Sequence, residues 1–384
     1  MHPRVVLSVG NFFFSLFATV TVYILLPYLS SFMGEAYTGL VVAGGAFVAV
    51  IFFPYLPRLV ARYGAQQLAL FFALAEMVAL FALAAVPGPI AGAFLIAVTV
   101  ALQPFLSYEL DLLLEATVAE EGTTGRVRTL FLTAWNVAAL AAPLLMGALL
   151  ANSNSYGRVF LAAAAALVPF VVLFAARKLP KGETPELSRM RDTFLCIVRD
   201  RDLAAVTFAH FLLYLFYVWV ALYVPIYLHG VLGIPWAVLG WVFSIMLVPY
   251  LLIEYPAGWI ADRFIGDKEL MLAGFLIAGG ALIFIGILSA ASSLILILSV
   301  LVVSRIGAAL IESMTEVHFF RRVSERDINS VSVFRGIWPL ADLVAPVAGS
   351  LILFFGSYEM LFVLTGGFVT LAGVASTLLI KDFR

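Results

Sequence analysis

The sequence predicts an all-α polytopic membrane protein whose twelve transmembrane helices form two pseudo-symmetric six-helix bundles. Of its 384 residues, 64% are hydrophobic and only 12% are charged, and the mean hydropathy is +1.09. A soluble domain with this composition could not cover its surface with polar groups. The apolar runs do not alternate with polar residues, which excludes a membrane β-barrel. Because a span needs roughly 20 apolar residues, this length accommodates about twelve spans with short loops.

Apolar runs separated by short polar or proline- and glycine-rich turns define the predicted spans. Pro87-Gly88-Pro89 and Gly233-Ile234-Pro235 are two such turns. The first run is too long for a cleaved signal peptide, so we predict that it stays in place as the first span. The predicted spans are residues 5–33, 37–56, 67–86, 89–114, 129–151, 158–176, 203–229, 236–256, 269–289, 293–317, 331–355 and 359–380.

Basic residues gather at one end of this arrangement. If the N-terminus is cytoplasmic, nearly all arginines and lysines fall on the cytoplasmic side. Arg158 falls on the outer side, and Arg305 and Arg335 fall within spans. This asymmetry favours an even number of spans with both termini in the cytoplasm. We therefore predict an integral multi-pass protein of the cell (inner) membrane.

The two halves of the chain resemble each other at an offset of about 200 residues. Asn11 matches His210, Arg62 matches Arg263, Glu109 matches Glu312, and Ala142-Pro143 matches Ala345-Pro346. We predict an N-terminal six-helix bundle at 1–176, a cytoplasmic linker at 177–202 and a C-terminal six-helix bundle at 203–384. The charged linker is interpreted either as a partly amphipathic helix on the membrane surface or as a solvated loop.

A short charged turn that reads GWIADRFIGDK joins two predicted spans in the second half. The order of glycines and charged residues in this turn resembles the loop motif of the major facilitator superfamily. The matching residues are Gly258, Asp262, Arg263, Gly266 and Lys268. The corresponding segment of the first half, PRLVARYGAQQ, keeps Arg62 and Gly64 but has Ala61 in place of the aspartate. The charged clamp that the family has in its first half should therefore be weakened here.

The resemblance implies a secondary transporter built from two parallel repeats, which rock around a mid-membrane solute site to alternate access. Span five contains AALAAPLLMG at 138–147, a reduced form of a stretch that resembles the family's antiporter signature. Two interpretations stay open for this stretch. It favours export, or its small residues simply allow close helix packing.

Charged residues at mid-span are the first candidates for transport, because a charge inside a span costs about 2.5–3.5 kcal/mol by insertion scales. Arg305 and Asp342 fall at similar depth in neighbouring spans, so they are predicted to meet either as a substrate- or proton-linked pair or as a structural ion pair. Glu76 is a lone carboxyl group in span three. It is interpreted as a proton carrier or as a neutral, hydrogen-bonded structural group.

A second set of charges is predicted to form a gate at the inner end. The matched pair Glu109 and Glu312 is expected to form ion pairs between the halves when the cavity opens outward. The resemblance implies that Asp262 faces the inner end of span five and that Arg335 lies near the loop that contains Arg62. Because Ala61 has no carboxylate, Arg335 is expected to pair with Glu312 instead. The alternative is a solvated charged rim.

Neutral polar groups within spans are candidates for a cavity wall. Gln103 and Asn136 can form hydrogen bonds with a solute or between helices. His210 titrates in the physiological range in its unperturbed form, and a buried structural histidine is the alternative interpretation.

Other functions are disfavoured by what the sequence does not contain. It has no phosphate-binding loop, no metal-ligand spacing among its four histidines, a single cysteine and no nucleophile turn. We expect no enzyme and no cofactor, and the net charge of -1 favours no nucleic-acid partner. The expected partners are a small-molecule solute, membrane lipids and protons, with the chain acting as a monomer. Proton-coupled transport, including drug or metabolite efflux, is the favoured function. An uncoupled facilitator, a lipid flippase and a membrane sensor or enzyme are the alternatives.

Overall fold

The computed structural model describes residues 3–85, 88–117, 124–151, 153–180, 187–323, 330, 333–334 and 336–381, and the side chains of 124–129, 187–190, 254, 255 and 262 are outside this description. Twelve helices in the described part are long and apolar enough to cross a membrane, which confirms the predicted number. Spans 1 to 12 are Pro3–Ser30, Glu35–Tyr63, Ala65–Ala84, Pro89–Glu115, Leu130–Leu150, Tyr156–Ala176, Arg201–Val231, Trp236–Ile253, Asp267–Ile285, Leu294–Arg322, Ile337–Phe355 and Tyr358–Leu379.

Several spans are interrupted where proline removes a backbone donor. Span 2 contains helices Glu35–Phe52 and Leu56–Tyr63 around a 3₁₀ turn at Phe53–Tyr55. Span 1 is divided into Pro3–Val22 and Leu25–Ser30, and span 8 belongs to helices Trp236–Met246 and Val248–Arg263. Span 7 is a helix at Arg201–Ile226 that ends in a π-helical turn at Tyr227–Val231, just after Pro225.

The predicted linker contains one further helix, Leu187–Arg199. It ends at Arg199, and the next residue, Asp200, caps span 7. Asp200 Oδ1 accepts the backbone N–H groups of Asp202 at 2.9 Å and Leu203 at 3.1 Å. Span 7 therefore starts two residues earlier than predicted, because a carboxylate at the N-cap satisfies amides that have no partner inside the helix.

The chain divides into two compact units. Unit 1 comprises Met1–Thr184, Leu228–Gly230 and Ile234–Ser244, and unit 2 comprises Pro185–Tyr227, Val231–Gly233 and Ile245–Arg384. Inside unit 1, span 1 packs on spans 5 and 6, span 3 on spans 4 and 6, and span 2 on span 4. Inside unit 2 the same pattern recurs: span 7 packs on spans 11 and 12, span 9 on spans 10 and 12, and helix Val248–Arg263 on span 10. The repeated packing agrees with the predicted pseudo-symmetric bundles.

Candidate functional site

A group of polar and aromatic side chains lies among the membrane-spanning helices of unit 2. Span 7 contributes Phe216 and Tyr217, helix Val248–Arg263 contributes Tyr250, and span 10 contributes Arg305 and Glu312. Arg305 and Glu312 are seven residues apart, about two helical turns, so their side chains lie on the same face of span 10. We call these five residues the Arg305 cluster.

The Arg305 guanidinium is enclosed by aromatic side chains. Its Cζ lies 5.6 Å from the ring centroid of Phe216 and 5.8 Å from that of Tyr217, and its Nη1 donates to Tyr250 Oη at 3.5 Å. Arg305 is only 3% exposed. Tyr217 Oη donates to Glu312 Oε2 at 2.6 Å, which fixes that carboxylate beside the same ring. Cation–π contacts offset part of the cost of placing a cation at this depth.

The predicted meeting of Arg305 and Asp342 does not occur in this structure. Asp342 is half-buried in span 11, and it forms no ion pair or hydrogen bond with any residue that the structure describes. Arg305 instead turns toward the aromatic rings of span 7 and toward Tyr250. Two residues at similar depth in neighbouring spans need not be in contact, because the rotation of each helix about its axis decides which side chains meet.

A ladder of rings extends from the Arg305 cluster to His210. The ring centroids of His210 and Tyr214 are 4.8 Å apart, those of Tyr214 and Tyr217 are 6.0 Å apart, and those of Tyr217 and Tyr250 are 6.1 Å apart. His210 also stacks on Phe334 at 4.0 Å, and its Nδ1 lies 3.2 Å from Thr315 Oγ1. The ladder therefore places His210 on the same face of span 7 as Tyr217.

Two buried carboxyl groups stand out within unit 1. Glu76 is 1% exposed and Glu109 is 0% exposed. Neither carboxyl group has a hydrogen-bond partner among the residues that the structure describes. Glu76 shares its buried stripe with Ala73 and Leu80, on a span that packs against spans 4 and 6. Glu109 differs from its repeat counterpart Glu312, which accepts the Tyr217 hydroxyl.

The remaining polar candidates of unit 1 are less enclosed. Gln103 and Asn136 are half-buried and form no hydrogen bond within the described part of the chain. The sequence analysis did not assign hydrogen bonds to Asn11 and Ser15. Asn11 Nδ2 donates to the carbonyl of Phe131, and Ser15 Oγ donates to that of Trp135, both at 2.9 Å. These two side chains attach span 1 to span 5.

The loop motif has the same backbone turn in both units. Gly64 has φ 86° and Gly266 has φ 99°, a region that favours glycine, and each immediately precedes the next span. Arg62 stacks on Tyr63, and Arg263 stacks on Trp259, each with Cζ 5.2 Å from the ring centroid. The side chain of Asp262 and the whole of Arg335 lie outside the described residues, so their predicted gate contacts stay predictions.

Two residues after each of these turn glycines, a polar side chain caps the end of a neighbouring span. Lys268 Nζ donates to the carbonyl of Ile380 at 2.9 Å, just beyond span 12. Gln66 Nε2 donates to the carbonyl of Phe174 at 2.7 Å, near the end of span 6, and its Oε1 accepts the N–H of Leu179 at 2.9 Å. The two residues satisfy free carbonyl groups at equivalent helix ends. Sequence analysis recognised Lys268 as a motif residue but did not identify Gln66.

An ionic network with a buried centre lies at the end of unit 2 from which spans 7 and 9 start, and the sequence analysis did not predict it. His318 Nδ1 lies 2.8 Å from Asp267 Oδ2, and its Nε2 lies 3.2 Å from Asp202 Oδ1. Arg321 pairs with Asp267 at 3.1 Å, and Arg322 pairs with Asp200 at 2.9 Å. The network joins the starts of spans 7 and 9 to the end of span 10.

Asp200 is the member of this network that lies outside the spans. Its pKa is lowered, first by the backbone N–H of Leu203 and also by Arg322. A lowered folded-state pKa means that this contribution to stability is present at neutral pH and is lost as the pH falls through the folded pKa. Because 35% of the Asp200 side chain is exposed to solvent, we expect only a small effect.

Comparison with known proteins shows what this architecture is similar to. Residues 206–382 match the model of the Major Facilitator Superfamily. The crystal structure of the nucleoside transporter NupG has a TM-score of 0.77 at 13% identity, covering 99% of each chain. This chain has the major facilitator fold. A bacterial homologue of the human lysosomal transporter Spinster, in an inward-facing and occupied conformation, has a TM-score of 0.74 at 11% identity, covering 98% of this chain and 93% of that chain. No curated protein sequence matches this chain.

The family match and the shared fold support a membrane transporter of the major facilitator type rather than an enzyme. Within this fold, the small-residue stretch of span 5 has a visible packing role. A methyl group built on Gly147 would lie 2.9 Å from Gly240 Cα, and one built on Gly240 would lie 2.7 Å from the carbonyl oxygen of Pro143. Span 5 and the first part of span 8 therefore approach closely because both lack side chains at this crossing.

Proposed function

We propose that this chain is a secondary active transporter that moves a small solute across the membrane by alternating access. The Arg305 cluster carries the proposal. It places a cation, three aromatic rings and a carboxylate in one enclosed group within the membrane-spanning part of unit 2. Such a group can bind an anionic or hydrogen-bonding solute, and intramembrane charges of this kind mark solute and ion pathways in other membrane proteins. His210, Gln103 and Asn136 are proposed to add polar groups to the pathway.

Proton coupling is the second part of the proposal. Glu109, Glu76 and Asp342 are carboxyl groups in spans, and none of them forms an ion pair with a described residue. A carboxyl group without a counter-charge can exchange one proton for each transport cycle without breaking an ion pair. The proposed gate uses Glu109 and Glu312 together with Arg62, Asp262, Arg263 and Arg335, and the turns at Gly258 and Gly266.

The proposed setting follows from the distribution of charge. Basic residues cluster at the ends of the spans that share a side with the termini, which supports cytoplasmic termini in a cell (inner) membrane. We propose that the bundles correspond to 1–176 and 203–384, that 177–202 links them in the cytoplasm, and that the transporter works as a monomer surrounded by lipid. Efflux of a metabolite or drug is the proposed direction.

Replacement of the three carboxyl groups by amides tests the coupling. A thermal-stabilisation screen of purified protein first identifies a solute, with nucleosides included because the solved relative NupG transports them. We expect Glu109→Gln and Asp342→Asn to reduce proton-driven accumulation in proteoliposomes at least tenfold, and Glu76→Gln to reduce it less, because Glu76 lies in a packing stripe. Uptake of the same solute down its own gradient is measured in parallel.

The matched control is Glu359→Gln, which removes an exposed carboxyl group at the start of span 12. It should leave accumulation unchanged. If all three amide variants accumulate the solute like the unmodified protein, the hypothesis of proton coupling through these groups is contradicted. Uptake that never exceeds equilibration under a pH gradient would indicate an uncoupled facilitator.

A further inference from the structure

The second helix of span 2, Leu56–Tyr63, presents two arginines on its exposed face. Arg58 and Arg62 are both exposed, whereas Leu56 and Val60 of the same helix are buried. Residues four apart on a helix have Cβ atoms about 5–6 Å apart, so the two arginine side chains are neighbours. We call Arg58 and Arg62 the arginine pair.

An exposed tyrosine ring lies beside each member of the arginine pair. The Cζ of Arg58 is 5.8 Å from the ring centroid of Tyr55, and the Cζ of Arg62 is 5.2 Å from that of Tyr63. Tyr55 is 50% exposed and Tyr63 is 47% exposed. A ring attracts a guanidinium through its charge and leaves the N–H groups able to donate hydrogen bonds. The tyrosines therefore hold the two cations at the surface without satisfying their donors.

No carboxylate of the described residues neutralises the arginine pair. Neither arginine forms a hydrogen bond or an ion pair with a residue that the structure describes. The matching segment of unit 2 has Asp262 where unit 1 has Ala61, and Trp259 where unit 1 has Arg58. Like charges four residues apart destabilise a helix. An anion bound between the two guanidinium groups would therefore stabilise the end of span 2.

Exposed apolar side chains precede the arginine pair on the same span. Val48, Ile51 and Phe52 are 43%, 46% and 55% exposed, just before the 3₁₀ turn that divides span 2. On a helix that crosses the bilayer, exposed apolar side chains contact acyl chains. Tyrosines such as Tyr55 and Tyr63 are enriched where a span passes from the hydrocarbon to the headgroups. The arginine pair therefore lies at headgroup depth, beside a surface that suits acyl chains.

The chemistry of the arginine pair selects a phosphate as its ligand. A guanidinium is planar and permanently charged, and it can donate two parallel hydrogen bonds to phosphate oxygens. Phosphatidylcholine and phosphatidylglycerol both contain a phosphodiester with two free oxygens. The choline headgroup carries its own cation, which offsets the attraction to arginine, whereas the glycerol headgroup carries none. The pair should therefore prefer an anionic phospholipid to a zwitterionic one.

We propose that the arginine pair binds the phosphate of one anionic phospholipid. The lipid belongs to the leaflet on the side where span 1 begins, because span 2 returns the chain to that side. The bound phosphate supplies the negative charge that Ala61 does not provide. This site goes beyond the proposed solute site, which is built from other residues. Arg62 also belongs to the proposed gate, but lipid binding requires neither a solute nor a gradient.

Native mass spectrometry of the delipidated full-length protein in detergent tests the site. Phosphatidylglycerol and phosphatidylcholine with the same acyl chains are titrated, and the measured quantity is the ratio of their affinities for the first bound lipid. A basic residue near anionic headgroups strengthens binding about fivefold. We therefore expect this ratio to fall about fivefold in Arg58→Gln, about fivefold in Arg62→Gln and about twentyfold in the double variant.

Ala61→Asp tests the same site without removing either arginine. An aspartate at this position is three residues after Arg58 and adjacent to Arg62, so it neutralises the pair from within the helix. We expect the lipid ratio to fall at least as far as in a single arginine variant. Gel filtration and the melting temperature follow the fold, and both should change little because all three substituted residues are exposed.

The matched control is Arg158→Gln, which removes an exposed arginine from the start of span 6. It should keep the full lipid ratio, because no second arginine lies one helical turn away. A second control adds glycerol 3-phosphate, which has the phosphate but no acyl chains. At the concentration at which phosphatidylglycerol saturates the first site, it should not displace the lipid.

Three results would overturn the lipid site. The first is an unchanged lipid ratio in the double variant or in Ala61→Asp. The second is an equal loss in Arg158→Gln, which would indicate a general effect of surface charge. The third is displacement of the lipid by glycerol 3-phosphate, which would indicate a site for a free phosphate. None of these results depends on transport, so a failed uptake assay with an intact lipid preference would contradict only the proposed function.

Discussion

Arg305→Ala is expected to weaken solute binding strongly while the protein still folds. The guanidinium is the only cation of the Arg305 cluster, and a hydrogen bond to a charged group contributes about 1.5–3 kcal/mol, so binding should weaken roughly tenfold to more than a hundredfold. Arg305→Lys should restore little, because a compact ammonium group cannot reproduce the planar guanidinium between Phe216 and Tyr217. The measurement is ligand-induced thermal stabilisation of each purified variant.

The fold is followed in the same samples by gel filtration and by the melting temperature without ligand. Arg305→Ala leaves the bond between Tyr217 and Glu312 in place, so we expect little change in either. Arg158→Ala, which removes an exposed arginine from the start of span 6, is the control and should bind normally. Equal loss of binding and of folded protein in Arg305→Ala would show that Arg305 is structural.

Asp202→Asn is expected to destabilise unit 2 strongly. Asp202 is 1% exposed, faces His318 Nε2 at 3.2 Å, and accepts the backbone N–H of Lys381 at 2.7 Å. Breaking a buried ionic group by removing one charge costs up to about 3–5 kcal/mol, and His318 would keep Asp267, at 2.8 Å, as its carboxylate neighbour in the described part of the chain. The melting temperature of the purified protein should therefore fall by several degrees.

The same network contains its own control. Arg322 is more exposed, with 25% of its side chain accessible, and it pairs with Asp200 at 2.9 Å and with Asp202 at the longer distance of 3.6 Å. Arg322→Gln should cost less than Asp202→Asn, because water can solvate the groups that the partly exposed guanidinium leaves. A melting temperature for Asp202→Asn equal to that of Arg322→Gln would contradict the view that the buried part of this network holds spans 7, 9, 10 and the end of span 12 together.

Sequence patterns were sufficient for the large-scale architecture. Apolar run length and the one-sided basic residues predicted twelve spans, because the bilayer restricts both features. The matched positions also predicted corresponding structures, since Gly64 and Gly266 have the same unusual backbone conformation. Lys268 and Gln66 each donate a hydrogen bond to a carbonyl group at the end of a neighbouring span, one through an ammonium and the other through an amide. Because the two residue types differ, the role of Gln66 could be found only after the helix ends were located.

The partners of individual side chains could not be predicted from the sequence, because depth in the membrane does not specify which helices pack together or which way each helix face points. Asp202, Asp267 and His318 are distant in sequence and meet only because spans 7, 9 and 10 pack together. Arg305 and Asp342 were expected to meet, but the rotation of span 10 turns the arginine toward aromatic rings. The tyrosines of span 7 resembled ordinary apolar residues in sequence, although Tyr217 binds Glu312 and contacts Arg305.

The most direct test of active transport is uptake by the unmodified protein in sealed proteoliposomes. A pH gradient is imposed across the membrane and no ATP is present. The solute is the one that stabilises the protein in the thermal screen, and protein-free vesicles are the blank. We expect concentration of that solute across the membrane, with the signal lost when the gradient is collapsed. A solute that binds and stabilises the protein but never crosses the membrane, with or without a gradient, would contradict a transporter.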